Sequence, residues 1–452
     1  MIIILILSEE QIKVAIELDH LNEQETVSDN YAQKAYNLYN DLHIKPTFNR
    51  NSSKILLEGF EFFRNYANIK YLIKWILGIL PYVDLFSNTG KLPLTRTQDN
   101  FKSYVETILD TYQKELDKIN HTIPKKYNML KPIALQSTKN FCIEILHSID
   151  EYYKGFPAKA YYTFADGLNR NLKNSAFLTN NIIHTSQEML FYKMRIGTSH
   201  TFSNQEMLHI PFELRGIVGT NRYSIPGLPC VYLGSSPLSC WEELNKPDLN
   251  TIQTSLFKSN NINYLDISMT PTDFVEELIR NYDAHPQNII THDIMAYVFL
   301  WPLIAACSIR VKNKNDTFKP EYIIPQLLLQ FIRDSNDIDG VSYFSTKIDK
   351  YTSETSELYR NFAFPVQAVK DKGLCPILQE KFTITTAVPW KVFELYKDSH
   401  FCLSPFIGEV KPIEIEFIDG MQLNYSSTDF YKLENFLQNK SILENKNSIP
   451  TF

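Results

Sequence analysis

"NRYSIPGLPCVYLGSSPLSCWEEL", residues 221–244, is the stretch from which the fold can be read. Pro226 followed by Gly227 suits the two central positions of a type II turn: proline presets the first φ and glycine supplies the positive φ of the second. "CVYL" (230–233) then reads as a short strand, with Tyr232 on the face opposite Val231 and Leu233. Ser236 before Pro237 is a helix start, serine as N-cap and proline at the first helical position. On that helix Leu238, Trp241 and Leu244 form the apolar stripe. Glu242 and Glu243 point about 100° apart. Glu243 shares its face with Ser236, Ser239 and Cys240, whose small side chains are expected to leave space above the helix, whereas Glu242 stands one turn beyond Leu238, nearer the apolar edge. This geometry favours Glu243 as a carboxylate facing a cavity; the plainer alternative is that both glutamates are solvated surface residues.

Outward from this strand–helix pair the segments are short, rich in β-branched and aromatic residues, and punctuated by Pro and Gly. "PCVYLG" and "DGVSYFSTK" read as strands, while "ITHDIMAYVFLWPLIAACSIR" and "PEYIIPQLLLQFIRD" read as helical or buried segments. The expected class is α+β with a mixed sheet. Upstream, "SEEQIKVAIELDHLNEQ", "NFKSYVETILDTYQKELDKI" (100–119) and "TKNFCIEILHSIDEYYKG" (138–155) repeat apolar residues at helical spacing, with Tyr104, Ile108, Tyr112 and Leu116 four apart and Gly155 as a C-terminal cap. "NTGKLPLTRTQDN" (88–100) is a polar loop. The expected division is a mainly helical N-terminal domain over 1–185, an α+β domain over 186–385, and a C-terminal extension over 386–452. That extension holds the alternating strand "KPIEIEFIDG" and a polar tail, "NKSILENKNSIPTF", expected to fray. No repeat period emerges.

Composition sets the limits. At 452 residues the chain is too long for one simple core. A hydrophobic fraction of 44% and a charged fraction of 21% are those of a globular protein, and a net charge of -6 offers no global attraction to nucleic acid or anionic membranes. Cysteines 142, 230, 240, 307, 375 and 402 form no CxxC pair and lack histidines at metal-ligand spacing. They read as reduced, partly buried thiols rather than disulfides or a zinc site. "MIIILILSEEQ" has no basic region and no small-residue cleavage site and reads as the first turns of a buried helix or strand. "YLIKWILGILPYVDLF" (71–86) is interrupted by Lys74 and Pro81 and reads as a core helix. A cytoplasmic protein without a membrane partner is expected.

The run "RYSIPGLPCVYLGSSPLSCWEE" resembles the signature of RES-domain proteins, named for their Arg, Glu and Ser residues. Members carry an Arg in a "GRwnppG"-like turn, a Tyr ten residues later and a Glu eleven after that. Arg222, Tyr232 and Glu243 keep those steps. Ser345 in "DGVSYFSTK" matches the serine of a later strand, and Asn361 in "YRNFAFP" is similar to the Asn of an "NyLfNP"-like segment. "FYKMR" (191–195) resembles the strand that opens the domain. The resemblance covers roughly 190–370. The turn here reads "NRYSIPG", which puts Tyr223 after the arginine, and a longer stretch separates Glu243 from Ser345 than in compact members.

The resemblance implies a fold related to ADP-ribosyltransferases and an activity on NAD as substrate, with no cofactor and no metal. Its activities include hydrolysis or phosphorolysis of the nicotinamide–ribose bond and transfer of ADP-ribose to a protein. The residue types suit that task. Arg222 can hold the pyrophosphate by a bidentate contact of roughly 1.5–3 kcal/mol. Tyr232 offers a flat face for nicotinamide, on the order of 1 kcal/mol. Glu243 can stabilise the positive charge that develops on the ribose as the C–N bond breaks. Ser345 and Asn361 join the binding set, and strand alternation from Val341 places Tyr343 on the same face as Ser345. Arg195 is a second candidate for an anion contact. His209 in "MLHIPFE" reads as a core histidine, not a catalytic base.

Toxin–antitoxin or antiphage defence is the setting the resemblance suggests, with a cognate inhibitor or sensor protein, and a homo-oligomer is compatible with it. The N-terminal helices resemble the HEPN-like domains sometimes joined to RES domains. The HEPN nuclease pattern itself, Arg followed four to six residues later by His, occurs in "RIGTSH" (Arg195, His200) and "RNYDAH" (Arg280, His285), both outside those helices. A ribonuclease is therefore the weaker reading. A non-catalytic nucleotide-binding module is opposed by the retention of Arg222, Glu243 and Ser345 together.

Overall fold

Pro302 lies inside an apolar helix, Gln287–Cys307, where it can donate no hydrogen bond to the carbonyl four residues back. That carbonyl belongs to Val298, and the buried hydroxyl of Tyr112 donates to it at 2.8 Å. Trp301 stacks on the same Tyr112 ring with centroids 4.1 Å apart. One tyrosine thus closes a gap in the backbone bonding and fills the core beside it. This computed structural model describes residues 6–21, 27–46, 48, 59–89, 92–173, 183–282, 287–348, 352–398 and 413–447. The chain groups into two compact units: Met1–Leu92, Thr97–Leu146 and Thr270–Pro302 form one, and Pro93–Arg96, His147–Met269 and Leu303–Phe452 the other.

The first unit is helical. Glu9–Asp19 starts from a capping box between Ser8 and Gln11, and Phe101–Thr122 starts from Asn100, whose side chain accepts from Ser103 N–H. Of the four-apart stripe, Tyr104, Tyr112 and Leu116 are buried and Ile108 is half-buried. The 71–86 segment is a core helix with a widened middle. Tyr66–Lys74 passes into a π turn over Trp75–Ile79, where Leu80 N–H reaches Trp75 O, and continues as Leu80–Asn88. The wider turn sits where Pro81 leaves the α pattern short of a donor. Ile290–Cys307 is long and apolar enough to cross a membrane, but 83% of it is buried inside the protein. Ile6 and Leu7 are buried, as read, but form a bend ahead of the helix Glu9–Asp19 and not a helix or strand; residues 1–5 lie outside the described residues.

Among the described residues the second unit holds a nine-stranded sheet. Its strands are β1 (Ile183–Ser186), β2 (Leu190–Ile196), β3 (Cys230–Gly234), β4 (Ile252–Ser259), β5 (Ile262–Ile267), β6 (Gly340–Phe344), β7 (Arg360–Pro365), β8 (Phe382–Ile384) and β9 (Val388–Pro389). The order is β1-β5-β6-β7-β3-β2-β4-β8, with β9 on β4. β5 and β6 run parallel and the other pairs antiparallel, so the sheet is mixed, as expected. The long pairs are β2 with β4 and β3 with β7, whereas β2 meets β3 only at Tyr192 and Gly234.

Alternation divides the sheet into two faces. Val231, Leu233, Phe362 and Phe364 point into one core with Phe191 and Phe257. The registers Tyr232–Ala363–Val341 and Gly234–Asn361–Tyr343 therefore lie on the opposite face. There Tyr192 and Met194 pack with Leu238 and Cys240 of the helix Pro237–Glu243. Gly234 makes this close approach possible: a Cβ there would lie 2.2 Å from Ser239 Oγ and 2.8 Å from Cys240 Sγ.

The helix Pro157–Lys173 also belongs to the second unit, where Tyr161 hydrogen-bonds Asp334 of the helix Ile323–Asp334. Gly155, at φ +86, ends the preceding helix as expected of a C-terminal cap. In the C-terminal part β10 (Glu414–Ile418) and β11 (Met421–Asn424) form a hairpin. The final helix, Asp429–Asn447, corrects the expectation of a frayed tail over most of its length. Phe430, Leu433 and Leu437, at helical spacing, bury one side of this helix, and Lys440 pairs with Glu444 and Thr386. The last five residues lie outside the described set.

Candidate active site

The turn, strand and helix of residues 221–244 form as read. Leu228 N–H closes the turn on Ile225 O, with Gly227 at φ +71, and Ser236 Oγ caps the helix by accepting from Ser239 N–H at 3.0 Å. The space expected above Ser236, Ser239 and Cys240 is absent. All three are buried, because Gly234 lets the helix settle against the sheet. The exposed member of this face is Glu243, at the helix C-terminus.

The two glutamates take different roles. Glu242 is 8% exposed at its side chain and pairs with Lys246 at 3.1 Å, while Glu243 is 34% exposed. Ser345 Oγ–H donates to Glu243 Oε1 at 2.6 Å, and Asn361 Nδ2 donates to the same oxygen at 2.9 Å. Ser345 Oγ in turn accepts Lys347 N–H at 3.2 Å. Lys347 Nζ stands 3.6 Å from Glu243 Oε2, bonds the Glu243 carbonyl, and reaches Asn245 Oδ1 at 3.0 Å. Ser345 comes from the end of β6 and Asn361 from β7, so three separate elements converge on one carboxylate.

Arg222 lies beside this cluster. Its guanidinium donates to Cys307 O at 3.0 Å, to Glu321 O at 3.5 Å and to Thr346 Oγ1 at 3.4 Å, and it lies over the Tyr322 ring, 5.2 Å from the centroid. The Cys307 contact puts a cation at the C-terminal end of a helix, where the dipole favours it. Tyr343 packs against Tyr223, centroids 4.1 Å apart. Burial holds the Tyr343 phenol well above its ordinary range; the Glu243 carboxylate pushes it further up, and Arg222 pulls it down. Burial also raises Tyr322, with Arg222 lowering it and Glu243 raising it. Both rings thus lie within electrostatic reach of both charges. The half-buried Tyr232 shares the sheet face of Tyr343, and its hydroxyl donates to Tyr223 O at 2.6 Å.

Arg195 is not brought into this group. It donates to the Glu206 carbonyl and lies over Phe202, 4.5 Å from the ring centroid. His200 pairs with the Glu206 carboxylate at 2.8 Å, and His285 lies outside the described residues. His209 is the core histidine that was expected: its Nε2 accepts Cys375 N–H at 2.8 Å, leaving Nδ1–H for Ile210 O at 2.8 Å. The five described cysteines are buried free thiols, and burial pushes Cys230, Cys240 and Cys307 up to about 12. Surface hollows of about 680 Å³ beside Arg215 and about 150 Å³ beside Asn204 are lined by other residues than this cluster.

Sequence reasoning missed Tyr322 and Lys347. Lys347 follows Ser345 by two positions and was in view as part of "FSTK"; Tyr322, a hundred residues from Arg222, gave no local signal.

Fold and site together define an α+β protein, with helices preceding a mixed sheet, that presents a hydrogen-bonded carboxylate flanked by an arginine, a lysine and closely packed tyrosines. Over 432 residues the chain is 35% identical to a protein of Bacillus subtilis (strain 168) named "Putative toxin YopC", a match that spans 92% of this chain and 95% of that protein. The chain belongs to the YopC family. No family model and no solved structure matches it.

Proposed function

We propose that this protein cleaves NAD at the nicotinamide–ribose bond, as a glycohydrolase or phosphorylase, and acts as a toxin or defence effector in the cytoplasm. The observation that carries the reading is the convergence of Ser345 and Asn361 on Glu243 Oε1, residues 102 and 118 positions away, in the chain order of the RES signature. The name of the Bacillus subtilis relative supports the toxin role.

In this reading Glu243 faces the ribose. Two donors on Oε1 fix the carboxylate and leave Oε2 for the sugar, so the negative charge is in place before positive charge develops. Arg222 holds the pyrophosphate, giving up its weaker contacts to Glu321 O and Thr346. Tyr232 and Tyr343 supply the wall against which nicotinamide stacks. A cognate inhibitor or sensor protein would restrain an activity that depletes NAD.

The test is to incubate purified protein with NAD, follow nicotinamide release, and weigh the products with and without phosphate. Free ADP-ribose identifies a glycohydrolase and ADP-ribose phosphate a phosphorylase. A mass increase on a protein identifies an ADP-ribosyltransferase. NAD bound but uncleaved would leave a binding module, and RNA degradation with NAD intact would replace the reading by a nuclease.

A further inference from the structure

The segment that cradles Arg222 is anchored by a piece of chain from far upstream. Thr95 and Arg310 form a parallel bridge, with Arg310 N–H donating to Leu94 O at 2.7 Å. One residue on, Arg96 pairs with Glu321 at 3.0 Å, their side chains 8% and 1% exposed. Glu321 Oε1 also accepts Lys312 N–H at 3.2 Å. Glu321 and Tyr322 belong to the short turn Pro320–Tyr322, which offers Arg222 the Glu321 carbonyl and the Tyr322 ring. The same bridge reaches the other side of the site, because Arg310 NH2 donates to Ile348 O at 2.6 Å. Ile348 follows Lys347 directly, in the segment that carries Ser345 and Lys347 to Glu243.

We infer that Pro93–Arg96 is a strap that positions both arms of the site, with Arg96 as a positioning residue that acts on Arg222 through Glu321. The strap lies within the polar loop 88–100 and belongs to the second unit, whereas the chain on both sides of it belongs to the first. A buried ion pair recovers little net stability against the cost of desolvating both charges, but it imposes one geometry. That suits a device that fixes a loop better than one that merely stabilises it. Two bonds, Leu94 to Arg310 and Arg96 to Glu321, lead from it to the segment that holds Arg222 and, through Arg310, to the segment that carries Ser345 and Lys347.

The kinetic part of the test rests on the NAD reading, so a second readout is independent of it. Removing Arg96 alone would strand the buried Glu321 carboxylate, so the variant is the double Arg96→Gln/Glu321→Gln, with Arg96→Lys as the conservative control. Hydrogen exchange of the full-length protein is expected to rise in residues 307–322 and 345–348 for the double variant, and less for Arg96→Lys. KM for NAD is expected to rise about tenfold with kcat within about threefold, since a displaced Arg222 weakens binding in ground and transition state alike. Unchanged exchange in both segments of the folded double variant overturns the strap, whatever happens to NAD. Raised exchange in a protein whose wild type ignores NAD supports the strap and rejects the NAD reading.

Discussion

Ser345 donates its hydroxyl proton to Glu243 Oε1 across 2.6 Å, tying the end of β6 to the end of the helix Pro237–Glu243. The direction of this bond has a chemical consequence. The bond gives the carboxylate a fixed donor from the sheet, so Ser345 holds Glu243 in place. Asn361 does the same from β7, and neither donor adds charge, so Glu243 is oriented without being neutralised. Lys347, 3.6 Å from the other oxygen, is the nearby cation.

The glutamate pair gives the sharpest mutational contrast. Glu243→Gln keeps the shape of the side chain but removes its charge, and NAD turnover is expected to fall by about 10²–10³-fold with the fold intact. Glu242→Gln disturbs only the pair with Lys246 and is expected to retain most activity. Nicotinamide release by the two purified variants, with circular dichroism as the control for folding, checks this. Equal activity in wild type and Glu243→Gln would remove Glu243 from the mechanism.

Asn361→Asp replaces a donor to Glu243 Oε1 with a second carboxylate of nearly the same size. Two carboxylates side by side repel each other, so the substitution both loses the donor and pushes Glu243 out of its pose. Asn361→Ala loses the donor without adding charge. Nicotinamide release is expected to fall in both variants and further in Asn361→Asp than in Asn361→Ala. Equal rates in the two variants would mean that Asn361 acts on something other than the carboxylate.

The local part of this architecture was legible and the long-range part was not. Pro226-Gly227 and Ser236-Pro237 dictate their turn and cap through their own backbone chemistry, so both could be read from adjacent letters. The asymmetry of Glu242 and Glu243 was read from helical rotation together with the eleven-residue step from Tyr232. The space predicted above Ser239 and Cys240 failed because its absence depends on Gly234, and which strand lies under a helix is not a local property. The helix through 429–447 was hidden for a related reason: the burial of Phe430, Leu433 and Leu437 comes from the partners they meet. Tyr322 and the Arg96–Glu321 pair depend wholly on tertiary contact.

Stability should carry a pH signature from Glu434 on that last helix. Burial pushes its carboxyl up from 4.5 to about 7, against the opposing effect of the Tyr425 hydroxyl that donates to it. A folded-state pKa above the unfolded one means that the folded protein binds the extra proton between those values. The contribution is fully present below about 4.5 and is lost as pH rises through about 7. Glu434→Gln removes the titration. Its melting temperature relative to wild type is expected to be higher at pH 8 than at pH 5, and a constant offset across that range would refute the assignment.

The Tyr112–Val298 bond offers a test of how proline is accommodated in the first unit. Tyr112→Phe keeps the ring and its stack on Trp301 but leaves the buried Val298 carbonyl without the hydroxyl, a loss of about 1–3 kcal/mol. The size of that loss should depend on residue 302. In a Pro302→Ala background the residue 302 N–H can return to Val298 O in the ordinary helical pattern, so the carbonyl no longer relies on the tyrosine. Tyr112→Phe is then expected to cost less than about 1 kcal/mol, and a double-mutant cycle on denaturant midpoints measures the difference. The same cost in both backgrounds would show that the hydroxyl serves the core in some way other than by satisfying the carbonyl that Pro302 strands.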